Sequence, residues 1–383
     1  MKPIRLLFVL TSPVRGGVEE VVLGLLRRLD PSEFRLGLAA PAPLLDGFAA
    51  DLRGVSVDAE PMTVEPFLRR DAFGPLSRFV RSFHPDIVNS HLFRSTAAAA
   101  PVAAWHGVPL VETYHGREGW RRGLVRGRFL PDRLVARLVD RVIAVSEAAR
   151  TFLITGKGYP KAKVVVVANG RDLSLYQPGL WRDAVRAELG LAPATPVVGV
   201  VGRLDAQKGH AYLLDAWPAV RREIADARLL LVGDGGLRAT LERRVHELGI
   251  AESVVFAGFR SDVPRMLDAM DVMVLPSLYE GMPLTAIEGS AMARPVVATD
   301  VDGTPEVVRD GQTGHLVPPA NPAELAHAII ALLRDPDGAR RMGQAGRDWV
   351  LTRFDVDRHV EATADVYRSV ARGAAGCGTL VAA

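Results

Sequence analysis

Short apolar runs alternate with stretches of helical period along the whole chain. In the first half, Ile4–Leu10, Arg35–Ala39, Val55–Asp58, Asp86–Asn89, Leu110–Thr113, Arg141–Val145 and Val164–Val167 read as strands, brief and bounded by turn residues. Between them, Val18–Leu29 sets Val21, Val22, Leu25, Leu26 and Leu29 on one helical face, and Phe73–Phe83, Ser95–His106 and Leu134–Val139 follow the same period. A second series opens with the strand Val197–Val201. It continues through strands Ala227–Val232, Ser253–Ala257, Val272–Leu275, Pro295–Thr299 and His315–Val317. Its helices are Ala211–Val220, Leu237–Leu248, Val263–Asp268, one starting near Pro283, Ala323–Leu333 and Gly338–Leu351. Strands that alternate with helices imply parallel sheets covered on both faces, hence an α/β fold with two such sheets.

The join falls between Asn169 and Pro178, where Asn169-Gly170 signals a turn and the polar stretch after it has no period. The expected division is residues 1–172, residues 173–354, a last helix within 355–372, and a Gly/Ala-rich tail from 373 to 383 that is expected to be disordered. A chain of 383 residues suits two domains, each able to bury its own core.

Composition changes this picture little: 48% hydrophobic and 24% charged is ordinary for a globular protein. A single cysteine, Cys377, rules out a disulfide framework and a thiolate metal site and fits a reducing cytoplasm. The run after Lys2 contains Arg5 and ends at Pro13 and Gly16-Gly17, which reads as a first strand rather than a signal peptide. No apolar run reaches the roughly 18 residues a membrane span needs. Charge is more informative. Residues 1–175 hold 25 Lys and Arg against 17 Asp and Glu, while the remainder holds 22 against 27. Any attraction to an anionic surface therefore belongs to the first half.

Ligands of open α/β sheets bind at the carboxyl ends of strands, and the chain's unusual residues collect there. Gly16-Gly17 follows the first strand and opens a helix, which suits close approach of a phosphate or sugar and is equally a plain turn. Gly202-Arg203-Leu204-Asp205-Ala206-Gln207-Lys208-Gly209 places two cations after one strand, able to clamp a diphosphate. Gly233-Asp234-Gly235-Gly236 ends another strand without completing a dinucleotide fingerprint. Gly258-Phe259-Arg260 follows a third. Glu280 and Glu288 stand in Tyr279-Glu280-Gly281-Met282-Pro283-Leu284-Thr285-Ala286-Ile287-Glu288-Gly289, where Pro283 is expected at the first helical position. The amides of Gly281 to Leu284 are then expected to face whatever Glu280 faces, in a pocket for hydroxyls and a diphosphate. His115, and more weakly His91, end strands of the first half, where a histidine can donate a hydrogen bond to a sugar or tune an acceptor.

The Glu-x7-Glu spacing within Glu-Gly-Met-Pro, with Gly-Arg-Leu-x-x-x-Lys-Gly before it, resembles the signature of retaining glycosyltransferases of family 4. The resemblance covers nearly the whole chain and implies the GT-B fold, two Rossmann-like domains with parallel sheets facing across a cleft, and a terminal helix crossing back to the first domain. It implies that Arg203 and Lys208 hold the leaving nucleoside diphosphate, that Glu280 bonds the donor sugar and Glu288 the ribose, and that Gly17 faces donor and acceptor. It puts the backbone near Arg260 at the nucleobase and His115 at the sugar. The expected catalytic set is thus His115, Arg203, Lys208 and Glu280, and the donor set adds Gly16, Gly17, Gly202, Gly233, Arg260, Gly281, Met282, Pro283, Leu284 and Glu288.

Arg117, Arg121, Arg122, Arg126, Arg128, Arg133, Arg137 and Arg141, with Trp120 among them, follow the His115 loop. This stretch reads as a surface for a glycan or lipid-linked acceptor or an anionic membrane, or as a solvated arginine-rich face. No nucleic-acid module is visible, and no cofactor is expected, since the nucleotide sugar is a substrate. No metal is expected either, because no histidine pair has helical metal spacing. An epimerase acting on the nucleotide sugar and a binding module without turnover are the competing functions. The sequence leaves the base, the sugar, the acceptor and the oligomeric state open.

Overall fold

The computed structural model describes residues 2–62, 70–117 and 130–373. They divide into two units: residues up to Gly170 together with those from Val356 on, and Arg171–Asp355.

The first unit contains seven parallel strands: β1 (Ile4–Val9), β2 (Phe34–Ala40), β3 (Val57–Pro61), β4 (Ile87–His91), β5 (Leu110–Tyr114), β6 (Arg141–Ala144) and β7 (Val164–Val166). Their spatial order is β3-β2-β1-β4-β5-β6-β7. Side chains of a strand alternate between faces, and β1 shows what that does here. Leu7 and Val9 enter a core with helices Arg70–Phe83 and Leu92–His106, whereas Leu6 and Phe8 enter the core on the other face, with helix Gly17–Arg28 and Val360, Ala364 and Tyr367 of helix Val356–Ala371. The terminal helix is therefore part of this unit's core, tied further by Arg368 to Glu33 at 2.7 Å.

The second unit repeats the plan with β8 (Val197–Val201), β9 (Arg228–Val232), β10 (Val254–Gly258), β11 (Val272–Leu275), β12 (Val296–Thr299) and β13 (Gly314–Val317), in the order β10-β9-β8-β11-β12-β13. All its pairings are parallel. Strands β8, β11 and β12 are wholly buried, as expected when helices cover both faces. Trp217 anchors one face, and its buried indole N–H donates to Ser253 Oγ at 2.9 Å. In each sheet the strand order reverses once, between β1 and β4 and between β8 and β11. That crevice, at the carboxyl ends, is where such sheets bind ligands.

Two differences from the sequence reading have physical causes. Helix Arg182–Glu188 lies between the expected join and the strand expected at Val197, where no element was expected. It is held by charge rather than by an apolar stripe: Arg186, 1% exposed, donates to Asp271 at 2.8 Å, and Asp271 also takes Arg182. Asp268, fully buried, accepts from the amides of Gly179 (2.8 Å) and Trp181 (2.7 Å). Pro283, expected at the first helical position, is the N-cap: its ψ of 103° is extended, and the helix runs Leu284–Ala291.

Candidate functional site

At the switch point of the second unit, the loop after β8 and the loop after β11 meet backbone to backbone. Gly209 permits this: at φ +65° it takes a left-handed conformation, and a Cβ there would lie 1.9 Å from Pro276 O. Gly233 does the same for the β9 loop, with a Cβ position 2.0 Å from Gly202 O. Asp205 caps the short turn Ala206–Lys208 by accepting from the Lys208 amide, which aims the lysine across the sheet end. Lys208 Nζ lies 2.6 Å from Glu280 Oε1. Ser277 Oγ donates to that same oxygen at 2.7 Å, and the Glu280 amide donates to Asp302 Oδ2 at 3.1 Å. Glu280 is 6% exposed, so this carboxylate is buried with its charge compensated.

Arg203 behaves differently. Its side chain is 62% exposed and makes only surface contacts to Asp205 and Gln207, which leaves it accessible at the end of β8. Glu288, one turn into its helix, is buried against Arg171, whose Nε lies 2.7 Å from Oε1. Burial and the Glu288 charge push the Tyr176 hydroxyl beside them well above its ordinary pKa. Among the expected amide donors, Pro283 offers none, since proline lacks an N–H, so the loop's donors reduce to Gly281, Met282 and Leu284. The Met282 side chain is buried. Arg260 is committed: its guanidinium bonds both oxygens of Asp262, at 2.7 and 2.8 Å, and Glu188 at 2.6 Å. Those carboxylates raise its pKa and hold its side chain.

In the first unit, β4 ends in His91 and β5 leads into His115. His91 Nδ1 lies 2.9 Å from His115 Nε2. Burial drives the pKa of His91 well below its ordinary value, with His115 and His359 adding to the effect. Burial, followed by His359, pushes His115 down to about 3. Both rings are therefore neutral at pH 7. Gly16 caps helix Gly17–Arg28, and Glu19 folds back over it: a Cβ on Gly16 would sit 3.1 Å from Glu19 Oε2. Glu19 is buried in the helix's first turn and was not among the expected site residues. Arg117 is exposed, with its guanidinium 5.1 Å from the Phe152 ring. Trp120, Arg121, Arg122, Arg126 and Arg128 lie outside the described residues.

Among the described residues, no group of three His, Cys, Asp or Glu could hold a metal ion. Asp300-Val301-Asp302 has the spacing of a metal-ligating pair, yet Asp302 holds the Glu280 amide instead. Among the described residues, no helix is long and apolar enough to cross a membrane.

Residues 15–175 match the family model for Glycosyltransferase Family 4, and residues 195–335 the model for Glycosyl transferases group 1. The alpha-maltose-1-phosphate synthase of Mycolicibacterium smegmatis is 34% identical over 311 residues, covering 74% of this chain and 79% of that protein. The chain belongs to glycosyltransferase family 4. Another relative is the D-inositol 3-phosphate glycosyltransferase of Streptomyces bingchenggensis, 32% identical over 309 residues, 75% of this chain and 67% of its own length. HepE of Anabaena, solved in complex with UDP and glucose, superposes with a TM-score of 0.83 at 25% identity, over 96% of this chain and all of that one. The glycosyltransferase fold is GT-B, with its two Rossmann-like domains of seven and six strands. Within this family 4 enzyme, the residues that sequence reasoning missed are Ser277 and Asp302, which orient Glu280, and Arg171, which pairs with Glu288. The first two sit close to Glu280 in sequence or in the sheet, but nothing in their type or period marks them.

Proposed function

We propose that this glycosyltransferase is retaining and moves a sugar from a nucleoside diphosphate to a hydroxyl of a glycan or lipid-linked acceptor. The bonded pair of Lys208 and Glu280 at the crevice between β8 and β11 carries the reading. It sets a cation for a diphosphate beside a carboxylate for sugar hydroxyls, at the place where such sheets take ligands. HepE, solved with UDP and with UDP-glucose, favours UDP as the nucleotide.

In the reaction the bond from the anomeric carbon to the phosphate oxygen breaks, and the acceptor oxygen bonds the same face. The acceptor proton leaves on the departing phosphate. Glu280 is not assigned as a nucleophile for this step, since its expected place is at the sugar's hydroxyl edge. Its role is to bond the sugar's hydroxyl edge. Lys208 and the exposed Arg203 stabilise the leaving diphosphate, the part of the transition state that gains most charge. Glu288 bonds the ribose, and its contact with Arg171 yields to the nucleoside. The charge is met by these cations and by helix amides, so no metal and no cofactor is required. The enzyme works in the cytoplasm, and the basic stretch from Arg117 to Arg141 meets an anionic acceptor or membrane face there.

The test is incubation with UDP- and GDP-sugars, with and without hydroxyl acceptors. The expected result is acceptor-dependent release of nucleoside diphosphate and a product that keeps the donor's anomeric configuration by NMR. Conversion of the donor without an acceptor would make the chain an epimerase, and tight binding without turnover would make it a binding module.

A further inference from the structure

A hydrogen-bonded chain runs through the first unit from the terminal helix to the end of β5. Tyr367 Oη donates to Asn89 Oδ1 at 2.8 Å, and His91 Nε2 meets the same oxygen at 2.8 Å. Asn89 Nδ2 points the other way, to Val111 O at 3.0 Å and Thr113 Oγ1 at 3.1 Å. A carbonyl oxygen only accepts, so the amide of Asn89 has one possible orientation and its Oδ1 faces His91. His91 must then carry its proton on Nε2.

His91 is 1% exposed and neutral, which leaves Nδ1 a bare acceptor. The contact to His115 is an in-line N–H···N bond rather than a face-to-face stack: the rings are within 23° of coplanar with centroids 5.1 Å apart. His115 therefore donates from Nε2, and its own Nδ1 is bare. Among the described residues, no hydrogen bond reaches that atom. The chain turns sharply just after His91, where Leu92 holds φ +67°, a costly conformation for a bulky residue.

We propose that His115 serves the reaction as a hydrogen-bond acceptor through Nδ1, taking a bond from a substrate hydroxyl, and that His91, Asn89 and Tyr367 are positioning residues that fix its tautomer. This departs from the sequence expectation that His115 could donate to the sugar. It rests on the glycosyl-transfer reading only for the identity of the hydroxyl. A His115 pKa near 3 keeps the ring from taking the acceptor's proton at pH 7, which leaves that proton to the departing phosphate. The relay starts on the terminal helix, so Val356–Ala371 contributes to the site as well as to the core.

The first test needs no substrate. Long-range 1H–15N spectra of the full chain with labelled histidine should show the proton on Nε2 of both His91 and His115 at pH 7. A proton on Nδ1 of His115, or a doubly protonated ring, would overturn the proposal. In the second test, Asn89→Asp puts a carboxylate beside His91, charges it, and turns its Nδ1 into a donor, which forces the His115 proton onto Nδ1. Turnover of UDP-glucose, as kcat/KM, should fall about tenfold or more, while affinity for UDP alone stays within about twofold. Tyr367→Phe, which leaves the His91–Asn89 bond in place, should cost about threefold or less. Unchanged turnover in Asn89→Asp, or an equal loss of UDP affinity, would overturn the relay.

Deoxy analogues of UDP-glucose and of the acceptor then find the hydroxyl. The one bonded to Nδ1 should cost the wild type about tenfold and Asn89→Asp nothing. If no deoxy analogue of either substrate separates the two proteins, the proposal fails. If UDP-glucose binds and no sugar moves, glycosyl transfer falls, while the proton positions still decide the relay.

Discussion

The two sheets reverse strand order at equivalent places, yet their switch points carry opposite chemistry. In the second unit the crevice holds charge: Lys208 on Glu280, Arg171 on Glu288, and Arg203 exposed nearby. In the first it holds a neutral chain of Tyr367, Asn89, His91 and His115. Topology determines where a ligand goes; the side chains at that place determine which ligand. A charged crevice answers a diphosphate, whose negative charge grows as the sugar leaves. A neutral histidine chain suits hydroxyls, with Glu19 the acidic residue buried in the first turn of the helix after β1.

The difference should appear first in acid. His91 and His359 are buried and His115 half-buried in the first unit, all with lowered pKa values, to about 3 for His115 and about 4 for His359. The second unit has His210, lowered to about 4, with neither ring nitrogen bonded. Above pH 6.5 these groups are neutral in both folded and unfolded chains and contribute nothing to pH dependence. Below it the unfolded chain binds protons that the folded one refuses, so stability falls as pH drops toward the folded pKa values. Each such histidine costs about 1.4 kcal/mol at one pH unit below 6.5, hence roughly 4 kcal/mol for the first unit against about 1.4 for the second. Calorimetric melts at pH 7.5 and 5.5, with UDP added to mark the second unit, should show the first unit's transition falling further. A second unit that melts first on acidification would break the contrast.

Lys208→Met comes next. Losing the cation should lower turnover by about two to three orders of magnitude, since it removes a group aimed at the leaving charge. It also strands the Glu280 carboxylate with Ser277 alone, so the second unit should lose on the order of 2 kcal/mol while the first is unaffected. Lys208→Arg restores the charge and should recover part of both. Near-normal turnover in Lys208→Met would refute the diphosphate clamp.

The sequence made the strands legible because each is a continuous apolar run, and the charged crevice legible because its residues stand in dense local patterns. Glu280, Glu288, Arg203 and Lys208 are all within reach of such a reading. The partners that give them direction are not. Ser277 stands three residues before Glu280 with nothing in its type to mark it, Asp302 approaches Glu280 only once β11 and β12 lie side by side, and Asn89 and Tyr367 meet across 278 residues. The helix Arg182–Glu188 escaped because its buried face is Val185 and an arginine satisfied by Asp271, and one apolar residue makes no hydrophobic period. Asp302, at φ +43°, stands in the turn dipeptide Asp302-Gly303, which signals unusual backbone but not the bond to Glu280.

Glu288→Gln tests whether the second carboxylate matters for the nucleoside or only for Arg171. The substitution keeps the shape and removes the charge. UDP affinity measured by calorimetry should weaken about tenfold, the cost of one charge-assisted hydrogen bond to the ribose. The same change should leave the proton positions on His91 and His115 untouched, because the histidine chain lies wholly in the other unit. Unaltered UDP affinity would reduce Glu288 to a structural partner of Arg171.

The smallest effect is expected at Arg260, and it sharpens the contrast between cations that are committed and cations that are available. Its guanidinium spends its donors on Asp262 and Glu188, close to the surface, where such pairs contribute little. Lys208 is also paired, but with a buried carboxylate, at the place where the proposed diphosphate binds. Arg203 is scarcely paired at all. Arg260→Met should therefore cost under about 1 kcal/mol of stability and leave UDP affinity within about twofold. A tenfold loss of UDP binding would mean that the guanidinium leaves Asp262 for the nucleotide. The division of labour at the end of β10 would then have to be redrawn, with a side chain rather than backbone meeting the base.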